Sequence, residues 1–297
     1  MYKLNVSVIG LGQMGAALAR AYLREGAQVT VWNRSPGKAT PLVEQGAALA
    51  PDIEAAIIAS SLIILCLTDY ATSDGLLKRP QVESLLKGRT LVQLTTGTRA
   101  DAERSAQWAA DAAIPYLDGA IMDYPAAVGS NECMLLASGS RVVYERHAQA
   151  LKVLGGRFTY VGEQPGAANV LDGGLLTIYY ASAIGFMQSA GMMMAESVTP
   201  ETLKHALDSF RPVIDKTFEY CADRISRREY AGTEASVHVH TLGVKSLLNR
   251  AKSAGIEHGL LQLFVDYLEK ADEGGHATHE LPAVFEAFRP HEAATVS

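Results

Sequence analysis

Val6-Ser7-Val8-Ile9-Gly10-Leu11-Gly12-Gln13-Met14-Gly15 is the stretch on which the fold turns. Its first four residues form a short apolar strand. A GxGxxG turn follows at once, and Ala16-Ala17-Leu18-Ala19-Arg20-Ala21-Tyr22-Leu23-Arg24 is built from helix formers, with Gly26 supplying the C-terminal stop. Gln28-Val29-Thr30-Val31-Trp32 is a second strand. Strand, glycine turn, helix and strand within about 30 residues is the context in which this motif carries meaning. Gly10 permits the tight turn, Gly12 lets the backbone approach a pyrophosphate, and Gly15 lets helix and strand pack closely. The free N–H groups and positive dipole end of the helix suit phosphates. Gly10, Leu11, Gly12, Gln13, Met14 and Gly15 are therefore expected to bind a dinucleotide.

The end of the second strand selects which one. Sites for NAD place Asp or Glu about 20 residues beyond the first glycine, where it bonds the ribose 2′-hydroxyl. Here Asn33-Arg34-Ser35 stand instead, with Lys38 one turn later. No carboxylate would repel a 2′-phosphate. Arg34 offers a planar fork of donors, Ser35 a hydroxyl and Lys38 a point charge, so NADPH is the expected cofactor. Ligands in such folds sit at the carboxyl ends of the strands. The loops beginning at Leu67-Thr68 and Gln93-Leu94-Thr95 should complete the site.

The alternation continues beyond this unit. Leu62–Leu67 is an uninterrupted apolar run, as in a strand buried on both faces. Thr90–Leu94, Pro115–Asp118, Cys133–Ala137 and Arg157–Val161 read as further strands, with helical segments at Pro36–Gln45, Asp52–Ile58, Val82–Leu86 and Ala102–Ala113. The expectation is an α/β chain whose residues 1–163 form a Rossmann domain with a doubly wound, mostly parallel sheet. Pro165–Glu196 reads as one helix, apolar almost all round, and residues 164–196 form a long interdomain helix. At 1.5 Å per residue it would be roughly 45 Å long, more than a small domain can cover. A second subunit is expected to cover it, in a domain-swapped homodimer. Residues 197–297 read as an all-α domain, opened by Thr199 as N-cap and Pro200 at N1, with a loose tail from about His291.

Composition sets the outer bounds. A chain of 297 residues suggests two domains, and 48% hydrophobic against 20% charged residues favours packed cores. A formal charge of −6 without a basic face speaks against nucleic acid. Cys66, Cys133 and Cys221 are few, odd in number and far apart, which suits a reducing cytoplasm. Met1–Asn5 runs straight into the first strand without the organisation of a signal peptide. The uncharged segment Gly173–Ala195 is long enough to span a bilayer. It holds four glycines, two serines, Thr177 and Gln188, and no basic cluster flanks it, so an interface helix is the expectation rather than a membrane span. His238/His240 and His276/His279 lack the spacing of a familiar zinc site, so no metal is expected.

The opening GLGQMG, Asn33-Arg34-Ser35, the segment Leu117-Asp118-Gly119-Ala120-Ile121-Met122-Asp123-Tyr124-Pro125 and Gly166-Ala167-Ala168-Asn169-Val170-Leu171-Asp172 together resemble the β-hydroxyacid dehydrogenase superfamily. More closely, the chain resembles its imine reductases and reductive aminases, over nearly its whole length. That resemblance implies a C-terminal domain like that of 6-phosphogluconate dehydrogenase, a homodimer, and NADPH-dependent reduction of imines, preformed or assembled from a ketone and an amine. The hydroxyacid dehydrogenases carry a lysine six residues after the glycine and an asparagine four residues later. Those positions hold Asp172 and Leu176 here. An iminium is already protonated and cationic, so it calls for an anionic partner rather than an ammonium; Asp172 becomes the catalytic candidate. The resemblance adds Tyr180, eight residues on, as substrate anchor or proton donor. Helical geometry favours a spacing of seven, which selects Tyr179, and both remain open. Gln93 stands where the family often has asparagine. Gln93, Met122, Tyr179 and His240 are the substrate-side candidates. Two rivals remain: a dehydrogenase of a small hydroxyacid, and a non-catalytic NADP(H)-binding protein.

Overall fold

The computed structural model describes residues 4–289, so Met1–Lys3 and the tail from residue 290 lie outside the described residues. Eight strands, β1 (Asn5–Ile9), β2 (Gln28–Trp32), β3 (Ala48–Leu49), β4 (Leu62–Leu65), β5 (Thr90–Gln93), β6 (Tyr116–Ile121), β7 (Met134–Gly139) and β8 (Arg157–Tyr160), form one sheet in the order β3-β2-β1-β4-β5-β6-β7-β8. All pairings are parallel except β6 with β7, which run antiparallel in the register Leu117 to Gly139 through Ile121 to Leu135. The chain works outward from β1 to β3, then crosses back to place β4 on the other side of β1. That reversal is the switch point at which a crevice opens beyond the carboxyl ends of β1 and β4.

Helices α1 (Gln13–Arg24), α2 (Thr40–Val43), α3 (Ile53–Ile58), α4 (Tyr70–Leu77), α5 (Pro80–Leu86), α6 (Arg99–Asp111) and α7 (Arg141–Lys152) connect these strands. They cover both sheet faces, and the strands show it residue by residue. Val6 and Val8 join Leu18, Tyr22, Leu62 and Ile64 in one buried cluster. Ile9, Ile63 and Leu65 join Ile57, Val82 and Leu86 in the other. Period-two alternation thus sends neighbours of one apolar strand into two separate cores. Strand β3 and helices α4 and α7 are absent from the sequence reading. Helix α4 carries Thr72, Ser73, Asp74 and Gly75, poor helix formers, and is started by the Asp69 carboxylate accepting from Thr72 N at 2.7 Å.

Helix α8 spans Ala167–Ala195, followed by α9 (Pro200–Arg227), α10 (Val237–Ser253) and α11 (Gly259–Ala271). Thr199 caps α9 as expected, its hydroxyl accepting from Thr202 N at 3.2 Å. The chain divides into two compact units, Met1–Thr177 and Ile178–Ser297. The first turns of α8 therefore belong with the sheet. In the second unit, Leu248, Ala251, Leu261 and Val265 form one small core, with Met192 packed against it, and Tyr230, Val237, Leu268, Ala271 and Ala283 form another. Of the 29 residues of α8 only Ala168, Asn169 and Asp172 are buried, and α9 buries none. By length and composition α8 is also apolar enough to cross a membrane.

Candidate functional site

A cleft of about 370 Å³ opens at the switch point. The glycine turn from Gly10 to Gly15 forms one wall, Trp32, Asn33, Arg34, Ser35 and Lys38 another, and Cys66, Leu67 and Thr68 a third. The glycines divide their work. Gly10 has φ +95°, and a Cβ there would lie 2.1 Å from the Cys66 carbonyl oxygen; one on Gly15 would lie 1.9 Å from the Gly10 carbonyl oxygen. Both are dictated by packing inside the chain. A Cβ on Gly12 would meet nothing within 4 Å. Among the described residues no contact demands glycine at that position, which leaves close approach of a ligand as the physical reason for it.

Gly12 is also the N-cap of α1. It offers no capping side chain, and no acidic residue occupies the first turn. The N–H groups and dipole of that turn are thus left for an anion. Among the described residues no Asp or Glu lines the cleft, whereas Arg34 and Lys38 do, both exposed. The cleft therefore fits a pyrophosphate with an extra phosphate near Arg34. Asn33 plays a part that spacing did not indicate. Its Oδ1 accepts from Leu11 N at 3.0 Å and its Nδ2 donates to the Ser35 carbonyl at 3.1 Å. It clips the glycine turn to the loop that presents Arg34 and Ser35.

Two residues expected at the cofactor lie lower. Gln93 and Thr95 are buried and are not part of the cleft lining. Thr95 Oγ1 accepts from Leu67 N at 2.9 Å, and Gln93 Oε1 accepts from Thr95 N at 3.3 Å. They brace the β5 loop against the β4 loop from below. Trp32, Cys66, Thr72 and Leu76 line the cleft without having been anticipated. Burial pushes the Cys66 thiol up to about 11, so it stays protonated at neutral pH.

Asp172 lies on the second turn of α8. Only 8% of it is exposed, and desolvation raises its carboxyl above the ordinary value. It is no helix cap, and among the described residues none gives it a hydrogen bond or an ion pair. The turn before it is anchored to the sheet domain. Gly166 adopts φ +78° beside Arg99, whose carbonyl oxygen would lie 3.0 Å from a Cβ. Ala168 N donates to Ser138 Oγ at 3.3 Å, and Asn169 Nδ2 donates to the Gly97 carbonyl at 3.1 Å. Met122 is half-buried, packed against a cluster of Ala120, Leu136 and Ala168.

The remaining candidates belong to the second unit. Tyr179 and Tyr180 are 47% and 59% exposed, their rings edge to face with centroids 5.2 Å apart. His240 is half-buried on α10. His276 and His279 face each other, Nδ1 to Nδ1 at 2.9 Å. Among the described residues no three His, Cys, Asp or Glu side chains converge as metal ligands would.

Comparison with known proteins bears on this geometry. Residues 5–162 match the NAD-binding domain of 6-phosphogluconate dehydrogenase, and residues 164–290 match the C-terminal domain of NADPH-dependent reductive aminase-like proteins. An NADPH-dependent reductive aminase from Aspergillus oryzae is 30% identical over 288 residues, 96% of this chain and 97% of that one. Among solved structures, an imine reductase from Myxococcus stipitatus in complex with NADP+ superposes with a TM-score of 0.88 at 34% identity, covering 96% of this chain and all of that one. A reductive aminase from Aspergillus terreus, in complex with NADPH and ethyl levulinate, superposes with a TM-score of 0.88 at 30% identity, covering 97% of this chain and all of that one.

Proposed function

The chain belongs to the family of NADPH-dependent reductive aminases and imine reductases, an oxidoreductase family acting on C=N bonds, and from that premise we propose how its own residues carry out the reduction. The observation that carries the reading is Asp172: a buried carboxylate, unpaired among the described residues, where hydroxyacid dehydrogenases hold a lysine. A carboxylate in a poorly solvated site attracts a cationic iminium and would repel nothing that the reaction forms. An ammonium in its place would donate a proton to a carbonyl oxygen and oppose an iminium.

NADPH, when bound, supplies the hydride that the imine carbon receives. The N-terminus of α1 holds the pyrophosphate, and Arg34, Ser35 and Lys38 recognise the 2′-phosphate. Asp172 holds the iminium nitrogen and can take a proton from an amine while the C=N bond is formed from a ketone. Tyr180 anchors the substrate or returns a proton, with Tyr179 as the alternative. Gln93, Met122 and His240 are assigned to the substrate side; Gln93 would have to act through a movement of its loop. We assign residues 1–163 to cofactor binding, 164–196 to the connecting helix, and 197–297 to substrate closure and dimerisation.

A homodimer is the proposed working form. Val170, Leu171, Leu175, Ile184 and Met187 of α8 and Phe210, Val213 and Phe218 of α9 are exposed. A groove of about 490 Å³, lined by Ile184, Met187, Gly191, Ile256, Leu260 and Leu263, adds to that apolar surface. Apolar side chains left uncovered along these helices point to a protein partner, and a second copy is the simplest. Unpaired Cys66, Cys133 and Cys221 suit a reducing cytoplasm.

The test follows NADPH consumption with 2-methyl-1-pyrroline in parallel with ketone–amine pairs and small hydroxyacids. Turnover of the cyclic imine with NADPH, and far less with NADH, is the expected result. Turnover of hydroxyacids alone would overturn the role given to Asp172.

A further inference from the structure

Asp118 on β6 is 1% exposed. Its Oδ2 accepts from the hydroxyls of Tyr70, at 2.7 Å, and Tyr116, at 2.9 Å, while its Oδ1 has no partner among the described residues. The Tyr70 oxygen accepts in turn from Asn169 Nδ2 at 3.4 Å, the same amide nitrogen that reaches the Gly97 carbonyl. The Tyr70 ring presses on the β5 loop so closely that a Cβ on Gly97 would lie 2.4 Å from it. One hydrogen-bonded chain thus runs from the middle of the sheet, through α4, to the first turn of α8. Asn169 and Asp172 are three residues apart and share a helix face, and with Ala168 they are the buried residues of α8.

A buried carboxylate is costly unless it is well bonded, and an apolar residue at this position would suit stability better. Burial pushes Asp118 up to about 6, against the pull of the two hydroxyls. What the network supplies is orientation. The Tyr70 hydroxyl has one proton, and it donates that proton's hydrogen bond to Asp118. Its oxygen is then left as an acceptor facing the Asn169 amide. Together with the Ser138 hydroxyl at Ala168 N, this fixes both the rotation of the first α8 turn and its distance from the β5 loop.

We propose that Tyr70 and Asp118 are positioning residues: through Asn169 they set where the carboxylate of Asp172 lies. The inference rests on the assignment of Asp172 to the reacting C=N group. Tyr70→Phe is the informative variant, since it keeps the ring against Gly97 and removes only the hydroxyl.

A double-mutant cycle tests the proposal. Tyr70→Phe and Asp118→Asn are each introduced alone and together with Asp172→Asn, and kcat and KM are measured with 2-methyl-1-pyrroline and NADPH. Tyr70→Phe is expected to lower kcat about 10- to 100-fold, as misplacement of a catalytic group does, with the KM for NADPH within about twofold of the parent. In the Asp172→Asn background the same change should cost less than about twofold, because coupled residues are not additive. Equal losses in both backgrounds, or an unchanged kcat in folded Tyr70→Phe, overturn the proposal. Should Tyr70→Phe not fold, Asp118→Asn completes the cycle with the same two outcomes. Asp172→Asn alone reports on the underlying assignment: unchanged turnover in that variant removes the role of Asp172 and the positioning proposal with it. Additivity with a large Asp172→Asn effect removes the positioning proposal alone.

Discussion

Asp172, Arg34 and Asp118 are charged residues in three different environments, and each leads to its own measurement. Asp172 is buried and has no partner among the described residues, so Asp172→Ala removes the charge set against an iminium. It should lower kcat/KM for imine reduction by about 100-fold or more, within the range for a positioned acid–base group, while the melting temperature changes little. Arg34 is exposed at the mouth of the cleft. Arg34→Ala should raise the KM for NADPH roughly tenfold, the scale of one charge-assisted contact of about 1.5 kcal/mol or somewhat less, and should leave the KM for NADH nearly unchanged. Among the described residues Asp118 is bonded on one oxygen only. Burial pushes its folded carboxyl up from the ordinary 3.8 to about 6. Between those values the folded state binds more protons than the unfolded one, so this group's stabilising contribution is complete below the lower value and lost as pH rises through the upper. Melting curves of the parent and Asp118→Asn between about pH 4 and pH 8 should show that fall in the parent's difference from the variant.

At the scale of elements, the glycine turn and α1 behave as one device with two separable functions. Gly15→Ala drives a Cβ to within 1.9 Å of the Gly10 carbonyl oxygen and should lower stability and NADPH affinity together. Gly12→Ala meets nothing within 4 Å, so it should leave the melting temperature within about a degree or two of the parent's, the size of an innocuous surface change, and still weaken NADPH binding. Cofactor titration with a parallel thermal melt separates these outcomes. Helix α1 was legible because the glycine spacing and the apolar pattern agree. Helix α4 was not, since Thr72, Ser73, Asp74 and Gly75 carry little helical preference and the Asp69 cap together with burial of Tyr70 and Leu77 overrides it. The antiparallel turn of β7 was equally hidden, because a strand buried on both faces reads the same in either direction.

For the whole molecule, the decisive quantity is apolar surface left uncovered. Two helices of 29 and 28 residues bury three residues and none within the chain. Light scattering on the purified protein should give twice the 31.8 kDa chain mass. Ile184→Glu, which sets a charge on the exposed face of α8, should shift that mass toward the monomer and abolish imine turnover together. A monomer that keeps full activity would remove dimerisation from the mechanism.

The order of strand, glycine turn, helix and strand, the absence of an acidic residue after β2 and the replacement of lysine by Asp172 are local features. The first two follow from a few adjacent residues whose chemistry does not depend on what lies elsewhere, and the third is read against the resemblance to the hydroxyacid dehydrogenases, so the sequence by itself determined the cofactor fold and the choice of NADPH, and through that resemblance the family. Tertiary structure alone decided that Gln93 and Thr95 brace the cleft from below, that Asn33 clips two loops together, and that Asp118, Tyr70 and Asn169 meet. Those residues lie 48 and 99 positions apart in the chain. No periodicity records a hydrogen bond between them, because only the packing of the sheet against α4 and α8 brings their polar atoms within reach and shuts out the water that would otherwise satisfy them.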